Sequence, residues 1–322
     1  MKYLFYYFLI DMPDLLVLET TKNEIDLLDS FLCDCAVRNF SPRTIASYKS
    51  HLNYFLQFYP VSASTNDLKD FLVLLRDERG LSVSTVENYF CSLSTFYEFL
   101  VWERVVKENI IPSFRKRYIR YYKEQRHEER QLINLEQMKW LIDSAVDLQI
   151  KTMFLVFAKT GIRRQELIDL DRSDVYPKKN MIILKNHHFK RSNRTIFYDE
   201  ECSFFMNHWI KWRYNHNINN PALFIGPQGG RICRDRVYTV TTEHAEKLGF
   251  HDPAGKLEEK FTPHCFRHFF TTWLRRAGCP REYVQELRGD SRKEAIDIYH
   301  HITHDELREA YMKYVPKLGI KM

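Results

Sequence analysis

The chain offers little to lock it covalently. Its seven cysteines (Cys33, Cys35, Cys91, Cys202, Cys233, Cys265, Cys279) are odd in number and scattered, with no CxxC pair. That excludes a disulfide framework and a paired-thiol zinc site, and is expected of a reduced, cytoplasmic protein. Glycine and proline are sparse, 10 and 11 of 322 residues, and no repeat or low-complexity tract is present. Long apolar runs are also lacking. The opening "MKYLFYYFLIDM" is broken by Asp11, far short of the roughly 20 residues that span a bilayer. One lysine precedes that run and no small-residue cleavage site follows it, so a signal peptide is not expected. Residues 1–19 are read as an N-terminal extension, either disordered or a strand-like lid. No phosphate-cradling P-loop and no carboxylate cluster occurs, so neither a cofactor nor a metal is expected. "HHITH" (His300, His301, His304) has helical ligand spacing, yet no thiol or carboxylate set completes it.

What is present is a soluble globular composition, 44% hydrophobic and 28% charged, with abundant aromatics. The length suits two domains, each burying its own core. A net charge of +6 permits a polyanionic partner without demanding one. From about residue 20 to residue 112 the pattern is helical. "SPRTIASYKSHLNYFLQFY" opens with Ser41 as N-cap and Pro42 at the first helical position, and Ile45, Tyr48, Leu52 and Phe55 share one face. "STVENYFCSLSTFYEFLVWE" predicts a capping box of Ser84 and Glu87. "NDLKDFLVLLRDERG" reads as a helix stopped at Gly80, and "EIDLLDSFLCDCA" completes a small four-helix domain.

Residues 113–130, "SFRKRYIRYYKEQRHEER", carry seven Arg or Lys against three Glu, with tyrosines interleaved. They form either a solvated linker or a basic strap that crosses a nucleic-acid backbone, where each neutralised phosphate releases counterions. Either way a domain boundary falls here. Residues 131–322 form the second domain, mainly α with a small antiparallel sheet. "MIILKNHHFKRSNRTIFYD" is its hairpin. Helices are predicted over 203–218, 234–248, 263–277, 281–288, 292–299 and 304–315.

In "TPHCFRHFFTTWLRRAG", Thr262 is the natural N-cap and Pro263 the first helical residue. His264 and Arg267, three apart, emerge on one face of the first turn. Together with the unpaired N–H groups and positive dipole of a helix start, they describe a phosphate site. In "KTGIRRQEL", Gly161 breaks an apolar helix just before Arg163, and an arginine so placed needs an anion. Glu166 can brace it and leave the guanidinium fork free. Each motif alone is also an ordinary structural feature.

"TGIRRQEL", "HCFRHFFTTWL" and "YHHI", in that order and spacing, resemble the tyrosine recombinases, or phage-type integrases, including Xer-like members. The wording "RGDSRKEAIDIYHHI" is most similar to integrases of archaea and their mobile elements. The resemblance covers nearly all of residues 20–315. It implies a helical SAM-like core-binding domain over 20–112, a linker over 113–130 and a catalytic domain over 131–322. It further implies a site-specific recombinase that cuts and rejoins double-stranded DNA through a 3′-phosphotyrosine, assembled as a homo-oligomer, dimer to tetramer, through its C-terminal helix.

Residue by residue, the resemblance assigns Arg163 and Arg267 to the scissile phosphate and His264 to a non-bridging oxygen or to proton transfer. Tyr299, thirty-two residues after Arg267, becomes the nucleophile. Lys190 becomes the general acid, with Lys185 as rival, and His268 is structural. DNA-backbone contacts are expected from Arg43, Lys49, Arg115, Lys116, Arg117 and Arg120. One departure stands out: Asp290 occupies the position, nine before the tyrosine, where the family usually has His or Trp. A carboxylate beside a phosphate is repulsive unless Arg288, Arg292 or a catalytic arginine neutralises it. Asp290 is expected to orient a neighbouring Arg or His, or to accept from the tyrosine. Alternatively it is a lesion that leaves an accessory DNA-binding protein. A type IB-like topoisomerase is the enzymatic rival. After Tyr299, Thr303 and Glu306 predict a capping box, and Leu307, Ala310, Tyr311 and Tyr314 an apolar stripe that either packs at home or docks on a neighbouring subunit.

Overall fold

A computed structural model describes residues 22–120, 131–185, 194–290 and 302–321. The chain divides into two units, Met1–His127 and Glu128–Met322.

The first unit contains α1 (Lys22–Val37), α2 (Pro42–Leu56), α3 (Thr65–Val73), α4 (Val83–Trp102) and the short α5 (Ile111–Phe114). Two wider π-type turns, Leu74–Glu78 and Arg115–Arg120, extend α3 and α5. The α2 start is as predicted: the Ser41 hydroxyl accepts from the Thr44 N–H at 3.1 Å. α4 begins earlier than Ser84, because Ser82 caps it by accepting from the Thr85 N–H. Val83 is thereby drawn into the core, and the Glu87 carboxylate pairs with Arg115 at 3.4 Å instead of capping. The core is aromatic, with Phe31, Phe55, Phe71, Phe90 and Phe96 buried. The first part of the 113–130 segment belongs to this core: Phe114 stacks on Phe90 at 5.2 Å and Ile119 is buried. Lys116, Arg117 and Arg120 remain exposed on its outside.

The second unit opens with α6 (Leu135–Asp143), capped reciprocally by Asn134 and Gln137. Next come α7 (Leu148–Thr160), α8 (Arg164–Asp169) and strands β1 (Val175–Tyr176), β2 (Met181–Leu184) and β3 (Arg194–Phe197). The strands pair antiparallel in the order β1-β2-β3, with Ile182 opposite both Val175 and Ile196. The β1 strand is too short to show a period in sequence. α9 (Glu200–Asn215), α10 (Arg234–Lys247), α11 (Pro263–Arg276), α12 (Arg281–Arg288) and α13 (His304–Tyr314) complete the unit. α9 starts before the predicted residue 203 because the Asp199 carboxylate accepts from the Cys202 N–H. The predicted helix 292–299 lies outside the described residues.

α7 is buried along its last two and a half turns, Thr152 to Thr160, and packs on α9 and α11. Phe157 stacks on Phe266 of α11 at 5.3 Å. A separate cluster of Phe197, Phe270, Leu274, Val284, Leu287, Leu307 and Tyr311 seats α12 and α13. Within this chain, therefore, the α13 stripe packs at home, and Thr303 and Glu306 form the predicted box. Lys159, fully buried, pairs with Asp199 and Glu201 and donates to the Pro316 carbonyl. Glu201 in turn accepts from the N–H groups of Leu318 and Ile320, which pins the tail.

Gly161 ends α7 in the left-handed region at φ 59°, its N–H donating to the Phe157 carbonyl. A Cβ there would run into the Phe270 ring. Gly161→Val combines backbone strain with overpacking, and is expected to destabilise the protein by about 3 kcal/mol in chemical denaturation. Gly80→Ala has open space and carries only the φ strain, about 1 kcal/mol.

Candidate active site

Gly161 turns the chain so that Arg163 takes an extended backbone as the cap residue of α8. Its own N–H donates to Glu166 Oε2 and its Nη1 to Oε1, both at 2.8 Å. The brace foreseen for Glu166 is present. Arg267 stands in α11, only 4% exposed. Its Nη1 donates to the Gly161 carbonyl at 2.8 Å and its Nη2 to the Arg288 carbonyl at 2.9 Å.

These two guanidinium groups converge on one oxygen. Arg163 Nη2 lies 3.2 Å and Arg267 Nη2 2.7 Å from Asp290 Oδ1. Arg288 Nε sits 3.0 Å from the other carboxylate oxygen. The neutralisation that Asp290 required is thus supplied by Arg163, Arg267 and Arg288; Arg292 lies outside the described residues. Burial, followed by the neighbouring charges of Arg163 and Arg288, lowers the Arg267 pKa to about 10. The group remains a cation at neutral pH.

A fourth arginine, Arg194, went unnoticed in the sequence. It opens β3, every residue of which is buried, and grips Glu166 with two hydrogen bonds at 2.8 and 2.9 Å. Its Nε donates to the Leu287 carbonyl at 3.2 Å. A charged residue beginning a fully buried strand was the available signal, since such a charge needs a partner. Gly289 is shaped by it: a Cβ on Gly289 would sit 2.6 Å from Arg194 Nη1. The Glu166 carboxyl is pushed up by burial, but Arg194 and then Arg163 outweigh that and hold it at about 2.

His264 is exposed in the first turn of α11, one turn before Arg267, and His268 is half-buried. Thr262 holds the cap position; its carbonyl accepts from the Cys265 N–H at 2.8 Å, and its own N–H donates to Cys265 Sγ. Lys185 is exposed and pairs with Asp174 at 3.1 Å, a contact that raises its pKa. Lys190 and Tyr299 lie outside the described residues. Tyr311 is fully buried, and burial pushes its phenol far up, so it makes a poor nucleophile. In the first unit, Arg43 and Lys49 are exposed on α2. Arg117 lies over the Tyr118 ring at 5.7 Å. Among the described residues no helix is long and apolar enough to cross a membrane.

Comparison with known proteins supplies a second line of argument. The model of the phage integrase family matches residues 126–306, and that of the phage integrase N-terminal SAM-like domain matches residues 27–106. A tyrosine recombinase XerD of Chlorobaculum tepidum is 25% identical over 302 residues, covering 87% of this chain and 92% of its own length. A tyrosine recombinase XerC of Herpetosiphon aurantiacus is 26% identical over 289 residues, covering 86% and 91%. Among solved structures, the Tn1549 transposon integrase in complex with transposon right end DNA has a TM-score of 0.66 at 18% identity, covering 89% of this chain and 98% of its own. A lambda integrase dimer bound to a core site has a TM-score of 0.65 at 13% identity, covering 87% and 97%. These two establish likeness of fold.

The buried carboxylate gives a pH signature. Its folded-state pKa of about 2 lies below the ordinary value of 4.5. Its contribution is complete above about pH 4.5 and is lost as the pH falls toward 2, amounting to roughly 3 kcal/mol. Denaturation curves between pH 6 and 2 are expected to show this loss in the wild type. Glu166→Gln should start less stable and show a slope reduced by that amount.

Proposed function

The chain belongs to the phage integrase family, and on that footing we propose that it is a site-specific DNA recombinase that breaks and rejoins duplex DNA by tyrosine transesterification, without metal or ATP. The observation that carries the proposal is the meeting of Arg163 and Arg267, far apart in sequence, on a single anionic oxygen.

In the proposed reaction the Tyr299 phenol oxygen attacks the scissile phosphorus. A bond forms from that oxygen to phosphorus while the bond to the 5′-oxygen breaks. The phenol proton is taken up near His264, and Lys190 delivers a proton to the departing 5′-oxygen. The reverse attack by a 5′-hydroxyl of the partner strand restores a phosphodiester of equal energy, so no nucleotide hydrolysis is needed. Arg163 and Arg267, with His264, hold the non-bridging oxygens. The pentacoordinate state concentrates negative charge, and fixed donors in a water-poor site are worth most there, on the order of 10²–10³ in rate each. Arginine suits this because its planar fork makes two parallel contacts that an ammonium cannot. Tyrosine, with a reference pKa near 10, reacts only when positioned and deprotonated there.

Duplex DNA is the proposed partner. Arg43, Lys49, Lys116, Arg117 and Arg120 are its proposed backbone contacts in the first unit, where their exposure favours the role; Arg115, tied to Glu87, contributes less. Copies are proposed to assemble on DNA, dimer to tetramer, with α13 as the connecting element.

On a nicked suicide substrate the wild type is expected to accumulate a covalent DNA adduct, and Tyr299→Phe none. An adduct with Tyr299→Phe would remove the nucleophile assignment. Arg163→Ala and Arg267→Ala should lower cleavage at least 10²-fold while duplex affinity persists, because affinity arises from scattered phosphate contacts. Joint recombination of two sites, rather than relaxation of supercoils alone, distinguishes recombinase from topoisomerase. Reversing both Lys116 and Arg117 to Glu should weaken binding to all sequences and flatten the salt dependence by about two units of slope, read from titrations between 50 and 200 mM salt.

A further inference from the structure

Asp290 stands where the reaction needs an anion. Its Oδ1 accepts from Arg163 Nη2 and from Arg267 Nη2, the two donors proposed to hold the scissile phosphate. A carboxylate and a phosphodiester each carry one negative charge over two acceptor oxygens, so one can replace the other with the local charge unchanged. Four guanidinium groups (Arg163, Arg194, Arg267, Arg288) crowd this spot, and Glu166 is already engaged by Arg163 and Arg194. A nearly buried Arg267 without any anion would be strongly unfavourable.

The backbone beneath Asp290 is firmly seated. Gly289 leaves α12 in the left-handed region at φ 63°, and the Asp290 N–H donates to the Gln285 carbonyl at 3.0 Å. The side chain, by contrast, is 30% exposed. Rotation about its own bonds moves the carboxylate off the arginines into solvent without disturbing the helix end.

We infer that Asp290 is an internal counter-anion that occupies the phosphate position in the DNA-free protein and is displaced when DNA engages. The inference rests on the recombinase reading for its biological sense, but the competition itself concerns any phosphate. It keeps the arginines charged, aligned and neutralised until substrate arrives. It also lowers apparent phosphate affinity, since an anion that fills the site nine-tenths of the time weakens a competitor about tenfold.

The test uses the full, DNA-free chain and inorganic phosphate, with affinity read from the rise in thermal midpoint. Asp290→Asn is expected to bind phosphate about tenfold more tightly than wild type. Asp290→His, which also removes the anion, should behave likewise and guards against one variant failing to fold. Asp143→Asn, which removes a carboxylate paired with Lys151 elsewhere on the unit, should change nothing. Adding Arg267→Ala to Asp290→Asn should erase the gain. Unchanged phosphate affinity in the Asp290 variants, or a gain that survives Arg267→Ala, would overturn the inference. On a suicide substrate at saturating DNA, Asp290→Asn should form adduct faster than wild type. A slower adduct would mean that the carboxylate serves the transition state directly, and the inference would fall. If wild type forms no adduct on any DNA while the phosphate results hold, the recombinase reading fails and the counter-anion stands.

Discussion

The second unit is built around a concentration of positive charge that water screens only in part, since Arg194 and Arg267 are buried while Arg163 and Arg288 keep an exposed side. Guanidinium groups buried this closely repel one another, as the lowered pKa of Arg267 records. They persist because each is tied to something fixed. Glu166 holds two of them with a carboxylate kept ionised far below its usual range. Removing either partner of such a set strands the rest, so the cluster is retained or lost as a whole. That rigidity is also what a phosphoryl-transfer site requires, since donors that reorganise during reaction contribute little to the rate.

Helix ends supply the remaining anchors. Arg267 donates to carbonyls at the C-terminal ends of α7 and α12, Gly161 and Arg288, and Arg163 donates to the Gly289 carbonyl. These carbonyls lack partners within their helices and carry the negative end of the helix dipole. Cations seated on helix C-termini are stabilised where an isolated guanidinium would not be. The two glycines that end those helices, Gly161 and Gly289, both adopt left-handed backbones and both lie where a side chain would strike a neighbour, Phe270 or Arg194.

Much of this was legible in the sequence because local rules and tertiary demands agree. The α2 cap at Ser41, the Thr303–Glu306 box and the stop at Gly161 follow from short-range chemistry that no packing overrides. The capping prediction at Ser84 failed because Ser82, an equally good cap, lets Val83 enter the core. Arg163, Glu166, Arg267 and Asp290 were found through motif spacing, which marks each residue but not its partners. Arg194 was not found, because a charge at the start of a buried strand signals only that a partner is needed; the partners themselves, Glu166 and the Leu287 carbonyl, are set by long-range packing. The convergence of three arginines on Asp290 was named only as a requirement. Which of the possible cations met it became visible in three dimensions.

The packing around Phe270 ties the C-terminal end of the chain to the arginines. Its ring abuts Gly161, two residues before Arg163, and belongs to the same buried cluster as Leu307 and Tyr311 of α13. The tail beyond α13 is held separately, through Lys159 and Glu201, and Lys159 lies two residues before Gly161 on α7. Withdrawing α13 would therefore open a cavity beside the Gly161 turn, while withdrawing the tail would leave the fully buried Lys159 and the Glu201 carboxylate short of partners. Close-packed interiors transmit such losses instead of absorbing them. Whatever seats α13, this chain or another copy of it, acts on the turn that presents Arg163, so the placement of the arginines and the docking of the C-terminal segment are one structural problem.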